Sequence, residues 1–553
     1  MLNKETFKVE RHAFTTVIDA VVEGIISSGV KAVYNYPGRP ASYLIDKLKE
    51  RKEKSKIDID IQDYLPNEYV AAGKGFGSSV AGCERSLVVF KDVGTNVACD
   101  HFYCLNHVGI NRGLVFFIAD DPSAWHSQNE EDSRGIYFNA GLPILEPFDA
   151  NSAYYCTKIA YELSEITRLP FFIRTTARAL NETFASNDDL KNVTVPFAKN
   201  FVDIPFDAKN RWLSIFSTVE EDKEELYQKH EELAKYFDES NLNVVKGKGR
   251  LGIIASGFIA TQLENEKLID NNLSLLKLAT VFPLPENQLL GFIEGKEKIL
   301  VIDQGEPLLE MLIRDIVHRN GWNIPVYGKL DGFVRRVGEF QDDDLKLSVD
   351  AFKSNIKPKR FPKHKKIAKA PAFEKDSSYR ILVETLRDAV KEVGVRPLYV
   401  ADAGQSSRIP DTPDLEDLLH LETTMGGVIS YLSGGIEAYN RIGKEAPFKG
   451  IAYVGDSDLL HSAFPGVCEA ATKNHPILMI LTDNQGAVST GGQPHLGMKF
   501  DENIKAISFK KLLEAVGVDY IEETTVRNKN DLRSKLIKGI KSDSFFVVIV
   551  KLC

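Results

Sequence analysis

The strongest constraint on the fold is a repeating order in which short apolar runs alternate with longer stretches whose apolar residues recur at helical spacing. The runs are Leu87 to Phe90, Leu114 to Ala119, Leu251 to Ala255, Ile299 to Ile302, Leu398 to Ala401, Ile451 to Val454, Ile477 to Leu481 and Phe545 to Val550. Segments apolar at successive positions suit strands covered on both faces, as in a parallel sheet. Thr15 to Ser27 and Glu306 to Arg319, among the intervening stretches, carry apolar residues at helical spacing. The alternation predicts doubly wound α/β domains, and a length of 553 residues requires more than one core.

Two composition shifts divide the series. Val219 to Glu239 is dense in Glu and Lys with apolar residues at helical spacing, which predicts a solvated helical connection. Between Lys353 and Lys369 stand eight Lys or Arg and no acid, with Pro358 and Pro362, as in an extended strap between domains. The predicted division is a domain over 1–205, a helical connection over 206–245, a domain over 246–350, a basic linker over 351–378 and a domain over 379–553.

Hydrophobic residues at 43% and charged residues at 27% describe a soluble globular chain. No apolar run is long enough for a bilayer, and Met1 to Lys8 carries charges where a signal peptide needs an apolar stretch, so the expectation is a cytoplasmic protein with no membrane contact. A net charge of -9 argues against general affinity for nucleic acid. None of the six cysteines forms the Cys-x-x-Cys spacing of zinc or iron-sulfur ligation.

The most informative stretch is Ile451 to Gly492. The run Ile451 to Val454 breaks at Gly455-Asp456-Ser457, and glycine at such a break lets a ligand approach the backbone. A carboxylate there, at the carboxyl end of a parallel strand, stands where these sheets bind ligands. Pro465 and Gly466 are predicted to start a helix whose free N–H groups receive phosphate oxygens. The run Ile477 to Leu481 then leads to Asp483-Asn484-Gln485-Gly486. Magnesium bridging two phosphates needs hard oxygen ligands from more than one loop; Asp456, the Asn484 amide oxygen and a main-chain oxygen near Gly486 would supply them. Gly-Asp pairs are common, and the alternative reading is an ordinary strand-end turn with an Asp.

Gly455-Asp456-Ser457 followed by Asn484 resembles the cofactor motif of the thiamine-diphosphate enzymes. The resemblance implies thiamine diphosphate held through Mg²⁺, with Gly455, Asp456, Ser457, Asn484 and Gly486 as cofactor-binding residues. Longer runs narrow it to the alpha subunit of indolepyruvate:ferredoxin oxidoreductase. Gly455 to Gly466 and Thr490 to His495 are similar to that family's diphosphate-binding domain. Tyr36 to Pro40, Asn67-Glu68, Lys91 to Val97, Asp120 to Pro122, His126 to Glu130 and Asp132 to Arg134 are similar to its pyrimidine-binding domain, and Pro283 to Pro285 with Asp303 to Pro307 to its transketolase-C-terminal-like domain. The implied order is pyrimidine-binding, transketolase-C-terminal-like, diphosphate-binding, in a homodimer acting on a small-molecule 2-oxo acid. Glu68 matches the acid that hydrogen-bonds the aminopyrimidine ring and favours its imino tautomer.

Two departures qualify the resemblance. Where the family carries cluster cysteines this chain reads Ala370 to Lys375 and Asp402 to Gln405, and it ends at Cys553, so no iron-sulfur cluster is expected in this chain. Non-oxidative decarboxylation, or carboligation, of the 2-oxo acid is therefore placed first. The alternatives are an oxidoreductase subunit passing electrons to a separate gamma-type or electron-transfer partner, and a non-catalytic cofactor-binding scaffold. The second departure is Arg39, in Tyr36-Pro-Gly-Arg-Pro40 where the family has threonine: its guanidinium either pairs with an anionic substrate group or turns outward to a nearby acid. His461 and His126 are candidate catalytic histidines. Asn96 and Asn129 are candidate substrate contacts, and Arg134 either contacts substrate or holds its loop.

Overall fold

The computed structural model describes residues 14–185, 189–190, 193–197, 202–209, 211–215, 217–364 and 371–552, together with the backbone of Thr6–Phe7. The chain forms two compact units, residues 1–63 with 68–365 and residues 64–67 with 366–553. Lys365, Lys366 and Lys369 of the expected basic strap lie outside the described residues.

The first unit contains two principal sheets. In chain order its strands are β1 (Ala32–Asn35), β2 (Asp60–Gln62), β3 (Ser86–Lys91), β4 (Leu114–Asp120), β5 (Ile144–Leu145), β6 (Phe171–Thr176), β7 (Val244–Gly247), β8 (Leu251–Ser256), β9 (Leu273–Leu278), β10 (Thr280–Phe282), β11 (Lys298–Ile302) and β12 (Val326–Tyr327). One sheet runs β10-β5-β6-β4-β3-β1-β2 and is parallel apart from β10. The other runs β12-β11-β8-β9-β7, with only β7 antiparallel. The expected helical connection is the helix Val219–Glu239, which buries Leu226, Leu233 and Phe237 along one stripe and places Glu220, Glu221 and Asp222 in its first turn. Those acids face the positive end of the helix dipole.

In the second unit β13 (Pro397–Ala401), β14 (Leu421–Glu422), β15 (Lys449–Gly455), β16 (Ile477–Asp483), β17 (Tyr520–Thr525) and β18 (Phe546–Lys551) form one parallel sheet in the order β14-β13-β15-β16-β18-β17. Its centre shows why these runs are apolar at every position. Leu478 and Ile480 of β16 join a core with Leu382 and Leu386, whereas Ile477, Met479 and Leu481 join the core of the other face with Leu432 and Val467. Covered on both sides, the strand has no solvent face on which to alternate. Among the described residues no helix is long and apolar enough to cross a membrane.

Candidate functional site

In the second unit the parallel register pairs Gly455 of β15 with Thr482 of β16, so the residues following each strand emerge side by side. Asp456 is buried, 2% exposed, and its carboxylate draws the two tips together. Oδ1 accepts the Ser457 amide at 2.8 Å; Oδ2 accepts the Asn484 and Gln485 amides at 3.0 and 3.1 Å. Gln485 adopts a left-handed φ of 61° to present its N–H, and its side chain donates to Asp483 at 2.6 Å. Such a conformation is uncommon for a residue with a Cβ and gathers at ligand sites. Gly486 turns its carbonyl to accept the Val488 amide at 2.9 Å, leaving the oxygen's second lone pair for another partner.

The helix expected to begin at Pro465 begins earlier. The backbone is helical from Asp456, passes through a π-helical turn at Leu459–Ala463 and continues as Phe464–Lys473, so the N–H groups near Pro465 do not form a free helix start. The cause is Asp458, whose Oδ2 accepts the Gly455 N–H at 3.0 Å and caps the turn. Gly455 is required by that approach, since a Cβ there would lie 2.4 Å from the capping oxygen. Burial, reinforced by Asp402, drives the Asp458 carboxyl well above the ordinary range. His461 sits in the π-helical turn, buried, with Nδ1 2.6 Å from the Ser462 hydroxyl and its carbonyl accepting the Asn67 amide at 2.9 Å. π-Turns recur at functional sites.

In the first unit the segments after β1, β3 and β4 leave adjacent strands of one sheet. Glu68 is buried at the start of the helix Glu68–Val80 and lies against Gly94, on the helix after β3. Arg39 takes the outward alternative, its Nη1 pairing with Asp46 at 2.6 Å and its guanidinium lying over the Tyr43 ring at 4.4 Å. Asn96 and Asn129 both donate to Glu131 and so tie the loop after β4 to the helix after β3. His126, on that loop, is exposed; Asp121 accepts its N–H at 2.6 Å, and its Nε2 is 3.4 Å from the Tyr43 hydroxyl. Partial burial, opposed by Asp121 and aided by Lys91 and Arg39, holds its imidazole below the ordinary value. Arg134 is fully buried and holds its loop, with Asp132, Asp303 and Glu146 within 2.6, 3.0 and 3.5 Å.

Sequence reasoning gave Asp458, Asp402, Gly94 and His495 no role. His495 lies within the run Thr490 to His495 and comes beside Asp456, with Nε2 3.1 Å from Oδ2. Asp402 follows β13, where its Oδ1 accepts the Gly426 and Val428 amides at 2.9 and 3.4 Å. The signal for both was available in outline: an acid at the tip of a strand, and a histidine in a Gly-rich run.

Fold and strand-tip site define the class. Residues 419–550 match the family described as thiamine pyrophosphate enzyme, C-terminal TPP binding domain, so the second unit carries a domain similar to that of thiamine-diphosphate enzymes. Over 96% of its length it is similar to indolepyruvate oxidoreductase subunit IorA, with 28% identity to the Methanothermobacter marburgensis protein and 85% of that protein covered. The same subunit of Archaeoglobus fulgidus is 29% identical, again over 96% of this chain and 85% of that one. Among solved structures, a 2-oxoglutarate:ferredoxin oxidoreductase from Magnetococcus marinus, with 2-oxoglutarate, coenzyme A and succinyl-CoA bound, is similar at a TM-score of 0.45 and 13% identity. The likeness covers 61% of this chain and 64%, less than two thirds, of that one. The relatives' names describe oxidoreductase subunits, which favours the oxidoreductase alternative over the non-oxidative decarboxylation placed first from sequence.

Proposed function

We propose that the chain is the thiamine-diphosphate-binding subunit of a 2-oxo acid oxidoreductase. The observation that carries this reading is the buried Asp456 carboxylate fastened to the Asn484 tip by two amides, within the segment matching the thiamine pyrophosphate family. Those oxygens suit a hard divalent cation: Asp456, the Asn484 side chain and the Gly486 carbonyl are proposed to hold Mg²⁺ against a diphosphate. Glu68 is proposed to bond the aminopyrimidine. When bound, the cofactor supplies an electron sink for the carbon that loses CO₂. His461 and His126 are proposed to move protons, and the Asn96–Glu131–Asn129 bridge holds the loop carrying His126. The relatives are named as subunits, and a separate gamma-type or electron-transfer subunit, together with a homodimer of this chain, completes the proposal.

Non-oxidative decarboxylation is the second reading, favoured by the lack of cysteine at 370–375 and 402–405. Calorimetric titration with thiamine diphosphate and Mg²⁺ comes first, and heat that depends on both ligands is expected. Anaerobic turnover of a panel of 2-oxo acids, with the electron-accepting partner subunit present, then decides between the readings. Reduction of a viologen dye without free aldehyde supports the oxidoreductase, aldehyde at the rate of CO₂ release supports the second reading, and no binding at all removes both.

A further inference from the structure

The imidazole of His495 is held by the residues that follow it. Its Nδ1 accepts the Gly497 amide at 3.0 Å. The ring packs where a Cβ on Gly497 would come within 2.8 Å of Cε1, and it lies 6.1 Å from the Phe509 ring. With Nδ1 serving as an acceptor, the proton of the neutral ring must sit on Nε2. That N–H is 8% exposed at the side chain and stands 3.1 Å from Oδ2 of Asp456. The contact has the length of an ion pair but not the alignment of a hydrogen bond, and Nε2 has no hydrogen-bond partner within the protein. Oδ2 is already engaged by the Asn484 and Gln485 amides, which explains why the imidazole stands beside it and does not donate to it. A buried N–H donor without an acceptor is costly, about 1–3 kcal/mol in general, and such groups recur where a ligand completes them.

We infer that His495 is a diphosphate-binding residue, its Nε2–H donating to an oxygen of the phosphoanhydride group that Asp456 and Asn484 hold through the cation. The inference rests on the proposed cofactor reading and adds to it a recognition element for the phosphates themselves. The donor comes from a fixed tautomer on a rigid ring, next to the carboxylate proposed as a metal ligand. Its electrostatic part is that of a neutral donor to an anion, so it strengthens phosphate binding without competing for the metal.

Two substitutions separate this role from packing. His495→Asn keeps an oxygen where Nδ1 accepts the Gly497 amide and removes the reach of Nε2; His495→Gln keeps an amide N–H near the position of Nε2. Titration calorimetry with saturating Mg²⁺ gives dissociation constants for thiamine diphosphate and thiamine monophosphate. His495→Asn is expected to weaken the diphosphate roughly 10- to 100-fold, the range for one hydrogen bond to a charged group, and the monophosphate less than about 3-fold. His495→Gln is expected to stay within a few-fold of the parent for both ligands. Equal losses for the two ligands in His495→Asn, or equal losses in the two variants, would assign His495 to packing or to Asp456 alone and overturn the inference. A parent protein that binds thiamine diphosphate and loses nothing in His495→Asn overturns the inference while leaving the cofactor reading standing; a parent that binds neither ligand overturns both.

Discussion

Gly94→Ala tests how closely the site depends on Glu68. A Cβ at position 94 would lie 2.6 Å from Cγ, 2.8 Å from Oε1 and 3.0 Å from Cδ of Glu68. Carbon atoms rest at about 3.5–4.0 Å, so the carboxyl must withdraw by roughly 1 Å. Solvent offers little room for that movement, because Glu68 is 3% exposed at the start of the helix Glu68–Val80, facing the helix Asp92–Val108. Overpacking of this kind costs about 1–3 kcal/mol of stability, and misplacing a positioned catalytic group by about 1 Å costs on the order of 100-fold in rate, or about 2.7 kcal/mol of barrier. The assay is initial-rate turnover at saturating cofactor beside a thermal melt. A kcat about 100-fold below the parent is expected, with the melt still cooperative and only modestly lower. Shortening the acid by one methylene in Gly94→Ala/Glu68→Asp should recover part of the rate by relieving the contact. A Gly94→Ala enzyme within about 2-fold of the parent, with its fold intact, would refute the reasoning, since the carboxyl could then move without consequence.

Two further predictions concern buried charge. Burial pushes the Asp402 carboxyl up to about 7 from an ordinary 3.8, against the Gly426 and Val428 amides, which favour its anion. The folded state therefore keeps a proton that the unfolded chain releases between about pH 4 and about pH 7, so stability falls as pH rises through that window and levels off above it, by roughly 1.4 kcal/mol per unit at most. Asp402→Asn keeps the accepting oxygen and removes this dependence; calorimetry should show its melting advantage over the parent growing from about pH 5 to about pH 8, and a flat or shrinking difference would count against the argument. Arg134→Met removes the cation that Asp132, Asp303 and Glu146 share, with Arg174 still beside Glu146 and Asp132, for an expected loss of roughly 3 kcal/mol in the first unit, the low end for breaking a buried pair. Urea unfolding followed by tryptophan fluorescence measures it, and Arg134→Lys is not expected to restore stability, because one ammonium cannot reach three carboxylates and also donate to the Gln304 and Glu306 carbonyls as the guanidinium does.

What was legible in the sequence follows from how local its cause is. The apolar runs all lie in or overlap strands, because a strand covered on both faces records its environment in consecutive residues. The helix Val219–Glu239 was legible for the same reason, its three buried residues repeating along one face. Thr280–Phe282 was not: three residues cannot show a period, and their antiparallel pairing with Ile144–Leu145 is long-range. The helical start at Asp456 was missed because its cap is a carboxylate three residues inside the turn, and Pro465 offered a more familiar signal.

At the site, the division is between residues whose type names their chemistry and residues whose neighbours do. Asp456 and Asn484 follow strands, and a hard oxygen at a parallel-strand tip already implies a ligand, so their proximity could be expected from spacing. Arg39 shows the opposite limit. Its charge suited an anionic substrate, yet Asp46, just past the first turn of the next helix, lies at the distance of an ion pair, and no pattern in the sequence distinguishes those fates. His495 falls between them. Its position in a Gly-rich run was visible, but its chemistry depends on which ring nitrogen carries the proton, and that is decided by the amide of Gly497, whose missing side chain makes room for the ring. A motif can therefore suggest oxygen ligands for a metal directly, whereas the donor proposed for the phosphates emerges only once the backbone has fixed a tautomer.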